Sequence, residues 1–286
     1  MRDDTPDEYG VRSLQEKELE IMAQIDKICS ANDIRYYLSE GTALGAQRHQ
    51  GFIPWDDDMD IMMFPDDYER FRAAFERNGD QEHFYLQEWG KTDGMITKAK
   101  LRMNGTAFIQ DVYQDWKMHH GVFVDIFILH NCPDGKIARK WQYLWAKYLV
   151  MRELANINYT AKNKFHDIVL KFMRLFPKRA LVRFALKRVY KYRGKQTKDC
   201  GNYLSAARGE QATYPRAWFG ESVRMPFEKM TLPAWAEICE FLTLRYGDYM
   251  KIPDEKKIHP ALWDVERDFS EIDENLNSLE DEKNLV

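Results

Sequence analysis

Residues 56–60 read Asp-Asp-Asp-Met-Asp, four carboxylates in five positions, and run directly into the apolar residues 61–64. Like charges this close repel one another. A carboxylate moved out of water without a partner costs several kcal/mol or takes up a proton. A β-strand sends successive side chains to opposite faces, so Met59, Ile61 and Met63 share one side and Asp58 and Asp60 the other. The first set can enter a core while the two carboxylates converge on one point. Oxygen ligands so placed suit a hard divalent cation, Mg²⁺ above all, whose remaining positions go to water and phosphate. A D-x-D pair is also common in solvated acidic loops, the plainer alternative. Asp56 and Asp57, nearer Pro54, are expected to be solvated.

Three further stretches carry compatible chemistry. Asp125 stands alone in the apolar run 122–129, where a buried charge needs a partner or a metal. A cation shared with Asp58 and Asp60 would serve, as would an arginine or a local backbone group. Over 96–106, alternation puts Lys98, Lys100 and Arg102 on one face of a strand and Ala99, Leu101 and Met103 on the other. Three aligned cations repel unless an anion faces them, and phosphate oxygens are a candidate. The alternative is a solvated edge strand, where lysines discourage aggregation. Over 40–49, Gly41 allows close backbone approach to a ligand. Thr42 opens a helix whose first amides can bind phosphate, and Arg48 can reach the same anion. His49, His119 and His120 are assigned no role.

The elements that position these residues follow from periodicity and turn chemistry. Ser13 and Glu16 have capping-box spacing, and Leu14, Met22, Ile25 and Cys29 recur on one helical face, predicting a helix over 13–30. A short strand ending at Gly41, a helix carrying Arg48, a strand at 59–64 and a helix from Asp66 to Asn78 come next. Strands are predicted at 95–103, 106–113 and 122–129, the first two joined as a hairpin by Asn104-Gly105. From 134 to 192 the chain is helical and basic. It turns irregular after Gly201 and helical again near 234–246. The expected organisation is one α/β domain: a core over 1–133, a basic helical insertion over 134–200, a return to the core over 201–263, and a poorly ordered acidic tail over 264–286.

Composition excludes several classes. The 286 residues are 44% apolar and 14% aromatic, which supports a filled core and argues against wholesale disorder. Four scattered cysteines form no C-x-x-C pair, which argues against a zinc site or a disulfide framework. The acidic first residues do not look like a secretory signal, and no apolar run reaches the ~20 residues of a membrane span. A cytoplasmic protein is expected. The net charge of −4 hides a marked asymmetry, because residues 136–198 hold 18 Lys/Arg against Glu153 and Asp167, a local +16 that leaves −20 elsewhere. Segregation on that scale implies a partner.

The sequences GTALGAQRHQGFIPWDDDMDI (41–61), KLRMNGTAF (100–108), HGVFVDIFIL (120–129), PFEKMTLP (226–233) and YGDYMKIPDEKKIHP (246–260) occur in the order found in the LicD family, which this chain therefore resembles over about 15–260. Ala43 and the pair Ile128-Leu129 depart from the usual pattern, and 136–198 matches poorly. The resemblance implies a nucleotidyltransferase-like mixed β-sheet flanked by helices. It also implies transfer of phosphocholine or a related alcohol phosphate from a CDP-activated donor to a sugar hydroxyl of a glycan or lipid-linked glycan acceptor, with release of CMP. Asp58, Asp60 and Asp125 would hold one or two Mg²⁺ ions. Lys98, Arg102 and Arg48 would face the transferred phosphoryl group, and Asp125 or a second metal would take the hydroxyl proton. Trp55 and Trp89 are candidates for stacking on a base or choline. The competing readings are a nucleotidyltransferase that places NMP from an NTP on a small molecule, and a non-catalytic scaffold that binds glycan or lipid.

Residues 165–192 add an amphipathic pattern. Phe165, Ile168, Val169, Phe172 and Phe176 form one stripe, and Leu181, Phe184, Ala185, Val189 and Tyr192 resume it. Arg179, Arg183, Lys187 and Lys191 recur every four residues on the other side. Stacked like charges weaken a helix by about 0.2–0.5 kcal/mol per pair. Anionic headgroups or a charged glycan would reverse that penalty. The plainer reading, an ordinary surface helix with its apolar face in the core and its basic face in water, is preferred; the alternative is an anionic membrane surface as partner, reached peripherally from the inner side. No nucleic-acid module accompanies the charge, and no nucleic acid is expected.

Overall fold

The structure is a computed structural model describing residues 7–89, 96–116, 118–157, 159, 163–175, 179–205, 209–253 and 261–265. The stretch 254–260, Phe176 and the acidic tail from residue 266 lie outside the described residues. The chain runs α1 (Arg12–Ala31), β1 (Tyr37–Leu38), α2 (Glu40–His49), β2 (Met59–Met63), α3 (Pro65–Asn78), β3 (Phe84–Gln87), β4 (Ala99–Met103), β5 (Ala107–Gln110), β6 (Phe123–Ile128) and β7 (His130–Cys132). It continues through α4 (Lys136–Leu154), α5 (Lys164–Leu175), α6 (Arg179–Val189), β8 (Asp199–Gly201), β9 (Thr213–Pro215), β10 (Val223–Phe227), β11 (Met230–Ala234), α7 (Ile238–Tyr246) and β12 (Ala261–Asp264).

A mixed five-stranded sheet ordered β1-β2-β6-β4-β3 forms the centre. Only β2 and β6 run parallel; the other pairs are antiparallel. This is the α/β architecture expected from the sequence. Strands β2, β4 and β6 alternate in type, yet nearly every residue in them is buried. The sheet is therefore covered on both faces, and polar groups within it must find partners inside the protein. Leu14, Ile21, Met22 and Ile25 of α1 join Ile61, Leu101, Val124 and Ile126 in one core cluster. On the other flank Trp235 stacks on Phe241 with ring centroids 4.1 Å apart, and its indole N–H donates to the Leu38 carbonyl at 2.7 Å.

Several boundaries differ from the sequence reading for identifiable reasons. Asp7, not Ser13, caps α1: its carboxylate accepts from the backbone N–H groups of Val11 (3.1 Å) and Arg12 (3.2 Å). The first strand stops at Leu38 and α2 opens at Glu40, ahead of Gly41 and Thr42. Glu40 takes a positive φ of 43°, costly for a non-glycine residue, and Arg245 holds its carboxylate through Nε at 2.7 Å. The Asn104-Gly105 turn forms, but no hairpin follows it. Both edges of β4 are already occupied, by β6 and by β3, so β5 pairs with β12 instead. The last helix begins at Ile238 rather than near 234, because residues 230–234 form the second strand of a hairpin with β10.

The basic region builds a second, smaller core of its own. Val182, Ala185 and Val189 of α6 close on Ala146 and Leu149 of α4 and on Cys132, Tyr203 and Leu204. The predicted stripe thus divides. On α6 its inner half is buried, whereas on α5 Phe165, Ile168 and Phe172 are exposed. Glu153, near the end of α4, ties this unit to the main sheet. Its buried carboxylate accepts from Ile96 N (2.6 Å), Thr97 N (2.9 Å) and Thr97 Oγ1 (2.7 Å), the residues just before Lys98. A donor left buried and unpaired costs about 1–3 kcal/mol. Glu153→Leu is therefore expected to lower unfolding free energy in urea by at least about 3 kcal/mol, and Glu153→Gln by clearly less. Equal stability of the leucine variant and the wild type would show that these bonds do not anchor the segment.

Candidate active site

The approach to the aspartates is fixed by contacts from three directions. Gln15 of α1 donates to the carbonyls of Ile53 (3.4 Å) and Asp56 (2.9 Å). Glu228, in the turn between β10 and β11, accepts from Phe52 N at 3.2 Å and from Arg12 at 3.3 Å. A Cβ at Gly41 would lie 2.6 Å from Asp56 Oδ2, so the group that approaches this glycine is one of the protein's own carboxylates. Thr42 Oγ1 accepts from the backbone N–H of Asp60 at 2.8 Å and so seats the start of β2.

Strand register then lines up the charged residues. Asp60 lies opposite Asp125 across the parallel β2–β6 pair, Asp125 opposite Lys100 across β6–β4, and Lys100 opposite Gln87 across β4–β3. One row across the sheet therefore reads Asp60, Asp125, Lys100, Gln87. Carboxylate oxygens of Asp58, Asp60 and Asp125 lie within 4.8 Å of one another. The three sequence-predicted aspartates are brought together.

The electrostatics of this row are unbalanced in a specific way. Burial, and then the like charges of Asp58 and Asp125, push the Asp60 carboxyl well above the ordinary range. Asp125 is equally buried, but Lys100 (2.7 Å) and Lys98 pair with it and hold it low. Burial works against the charge of Lys98 too, yet Asp125 and Asp60 outweigh it and keep that ammonium firmly protonated. Lys100 goes the other way. Burial, with Lys98 and Arg102 nearby, lowers it well below its usual value, and its ammonium sits 3.1 Å from the centre of the Phe123 ring. Both lysines pair with the one carboxylate, and Lys98 is the more accessible of the two.

The other candidates are placed as follows. Arg102 is 1% exposed and brought down to about 10 by burial. It donates to Gln87 Oε1 and to the Gly121 carbonyl, both at 2.7 Å, so its work is inside the sheet. Arg48 donates to the carbonyls of Tyr249 (2.8 Å) and Lys251 (3.4 Å), tethering the segment after α7. Trp55 packs edge-on against Tyr9 and His49, and Trp89 packs on the second core. Asp57 is not solvated as expected: it is 2% exposed, and Asp56 and Asp57 form with Asp58 a second group of mutually close carboxylates.

Glu18 was not among the sequence candidates. It is fully buried on α1, and burial followed by the charges of Asp58, Asp56, Asp57 and Asp60 raises its carboxyl well above the usual value. A buried acid whose ionisation is disfavoured thus lies close to the aspartates. Gln15 and Glu18 fall on the face that Leu14, Met22 and Ile25 make apolar. Polar residues interrupting such a stripe were the signal available in the sequence.

The donor set fits a hard divalent cation: three carboxylates, one of them raised by burial and by the like charges of Asp58 and Asp125, which Lys98 only partly offsets. Residues 33–131 match the family model described as LicD/FKTN/FKRP, nucleotidyltransferase domain. The matched residues run from ahead of β1 into β7 and include all three aspartates. It is 28% identical over 256 residues, 85% of this chain and 92% of the other, to the lipopolysaccharide cholinephosphotransferase LicD of Haemophilus influenzae. Uncharacterized proteins of Rickettsia typhi and Rickettsia prowazekii are 42% and 44% identical over 53 and 48 residues, at most 18% of any chain compared.

Protons would compete with a cation for Asp60. Its raised pKa means that cation binding there would weaken as pH falls through that value. Addition of Mg²⁺ is expected to raise the melting temperature at pH 8 and to do so much less at pH 5. Asp60→Asn should melt about 2–4 °C higher than wild type without metal, for roughly 1 kcal/mol of relieved repulsion, and show no Mg²⁺ shift. An unchanged Mg²⁺ shift in this variant would remove Asp60 from the cation site.

Proposed function

We propose that the protein is a divalent-cation-dependent phosphotransferase that moves phosphocholine, or a related alcohol phosphate, from a CDP-activated donor to a sugar hydroxyl of a cell-surface glycan precursor. The observation that carries this reading is the convergence of Asp58, Asp60 and Asp125 at one point of the sheet. Similarity along most of the chain to a lipopolysaccharide cholinephosphotransferase supports the choice of phosphocholine and of a glycan acceptor.

Asp58, Asp60 and Asp125 would hold Mg²⁺. When bound, the metal supplies charge neutralisation on the diphosphate and on the departing CMP. The acceptor oxygen forms a bond to the phosphorus that carries the alcohol, the bond from that phosphorus to the CMP oxygen breaks, and CMP leaves with the electron pair. Lys98, charged and one-fifth exposed in its side chain, is the cation positioned to meet the phosphoryl oxygens. Lys100 and Arg102 are sealed from solvent and act by holding Asp125, Gln87 and the Gly121 carbonyl in place. Asp125, held low by both lysines, is a poorer proton acceptor than Asp60, so the hydroxyl proton would pass to Asp60.

The test is product analysis. With Mg²⁺, CDP-choline and a glycan acceptor, turnover is expected to release CMP in step with phosphocholine incorporation. Asp60→Asn should lose about 10³-fold in kcat and Lys98→Ala about 10²-fold. Pyrophosphate release from CTP, with no CMP formed from CDP-choline, would replace this reading with nucleotidyl transfer.

A further inference from the structure

The basic region presents a surface that phosphotransfer does not require. On α4, Ile137 and Trp141 are 78% and 59% exposed and one helical turn apart. Across from them Phe184 of α6 meets Trp145 edge-on at 5.1 Å, under the guanidinium of Arg188 at 4.8 Å. Between the two helices lies a cavity of about 850 Å³ whose lining includes Ile137, Trp141 and Phe184 together with Lys136, Arg188 and Lys191. Nearby in sequence, α5 exposes Phe165 and Ile168. Large apolar side chains left open in one region of a chain mark an interaction site rather than ordinary surface.

Charge narrows the occupant. The two acids among residues 136–198 are both engaged: Glu153 inward with Ile96 and Thr97, and Asp167 with Lys171 at 2.8 Å. The surface is therefore cationic around an apolar groove. A second copy meeting this face with its own α4–α6 face would set like charge against like. A nucleic acid or a soluble polyanion would match the charge but leave the aliphatic Ile137 and Ile168 in water. An anionic bilayer satisfies both, since headgroup phosphates meet the lysines and arginines while tryptophan and isoleucine enter the interface.

We infer that the α4–α6 groove, with the exposed face of α5, docks the protein on an anionic phospholipid membrane. This inference is independent of the phosphotransfer reading.

The experiment is co-sedimentation of the full chain with vesicles of phosphatidylcholine alone and of phosphatidylcholine mixed with phosphatidylglycerol. Partition is expected only onto the anionic vesicles and is expected to fall steeply with salt. Ile137→Ser/Trp141→Ser should weaken partition at least about tenfold. Lys136→Glu/Lys191→Glu should weaken it by at least about fivefold for each charge changed. Both variants alter exposed positions, and their far-ultraviolet dichroism and melting should match wild type. Asp58→Asn should bind vesicles as wild type does, which separates failure of docking from failure of catalysis. Equal partition onto neutral vesicles, no partition at all, or full partition by both groove variants would overturn the inference. So would equally tight binding to a soluble acidic polysaccharide.

Discussion

Two parallel strands that set Asp60 directly against Asp125 impose the constraint around which this protein is arranged. Unit charges 4 Å apart repel by about 4 kcal/mol at the effective dielectric of a protein surface. Facing pairs of like charge are ordinarily selected out of sheets. Here the neighbouring antiparallel strand answers the charge with Lys98 and Lys100, which pair with Asp125, while burial and the like charges of Asp58 and Asp125 keep the Asp60 carboxyl raised.

The surrounding elements keep that imbalance from relaxing. Thr42 pins the backbone of Asp60, Gln15 and Glu228 hold the loop ahead of it, and Gly41 leaves room for Asp56. Burial and the charges of Asp58, Asp56, Asp57 and Asp60 raise the Glu18 carboxyl on α1, which opposes further negative charge beside the cluster. From the opposite side Glu153 clamps the residues that lead into Lys98, which couples the basic helical unit to the row of charges. Carboxylates that repel stay converged because rigid neighbours determine their backbone, the condition for a preorganised electrostatic site.

Much of this was legible in the sequence because period-two alternation is a local property. Asp58 and Asp60 against Met59 and Ile61, and Lys98, Lys100 and Arg102 against Ala99 and Leu101, required only the strand geometry. What local pattern cannot supply is pairing. The Asn104-Gly105 turn looks like a hairpin until both edges of β4 prove to be taken. The loop ahead of Asp57 is held by α1 and by the β10–β11 turn, which are far apart in the chain. Arg48 looked like an anion ligand because its carbonyl partners, at 249 and 251, lie 200 residues away. Glu18 was visible only as an acid on an apolar helical face, and Asp7 displaced the expected cap because it reaches two backbone amides at once.

The central claim is that the three aspartates bind a donor diphosphate through a divalent cation. Calorimetric titration of CDP-choline, with and without Mg²⁺, into wild type and the Asp58→Asn/Asp60→Asn variant tests it most directly. The account predicts binding that requires Mg²⁺ and is absent from the variant. Equally tight binding without a divalent cation, or in the variant, would contradict it.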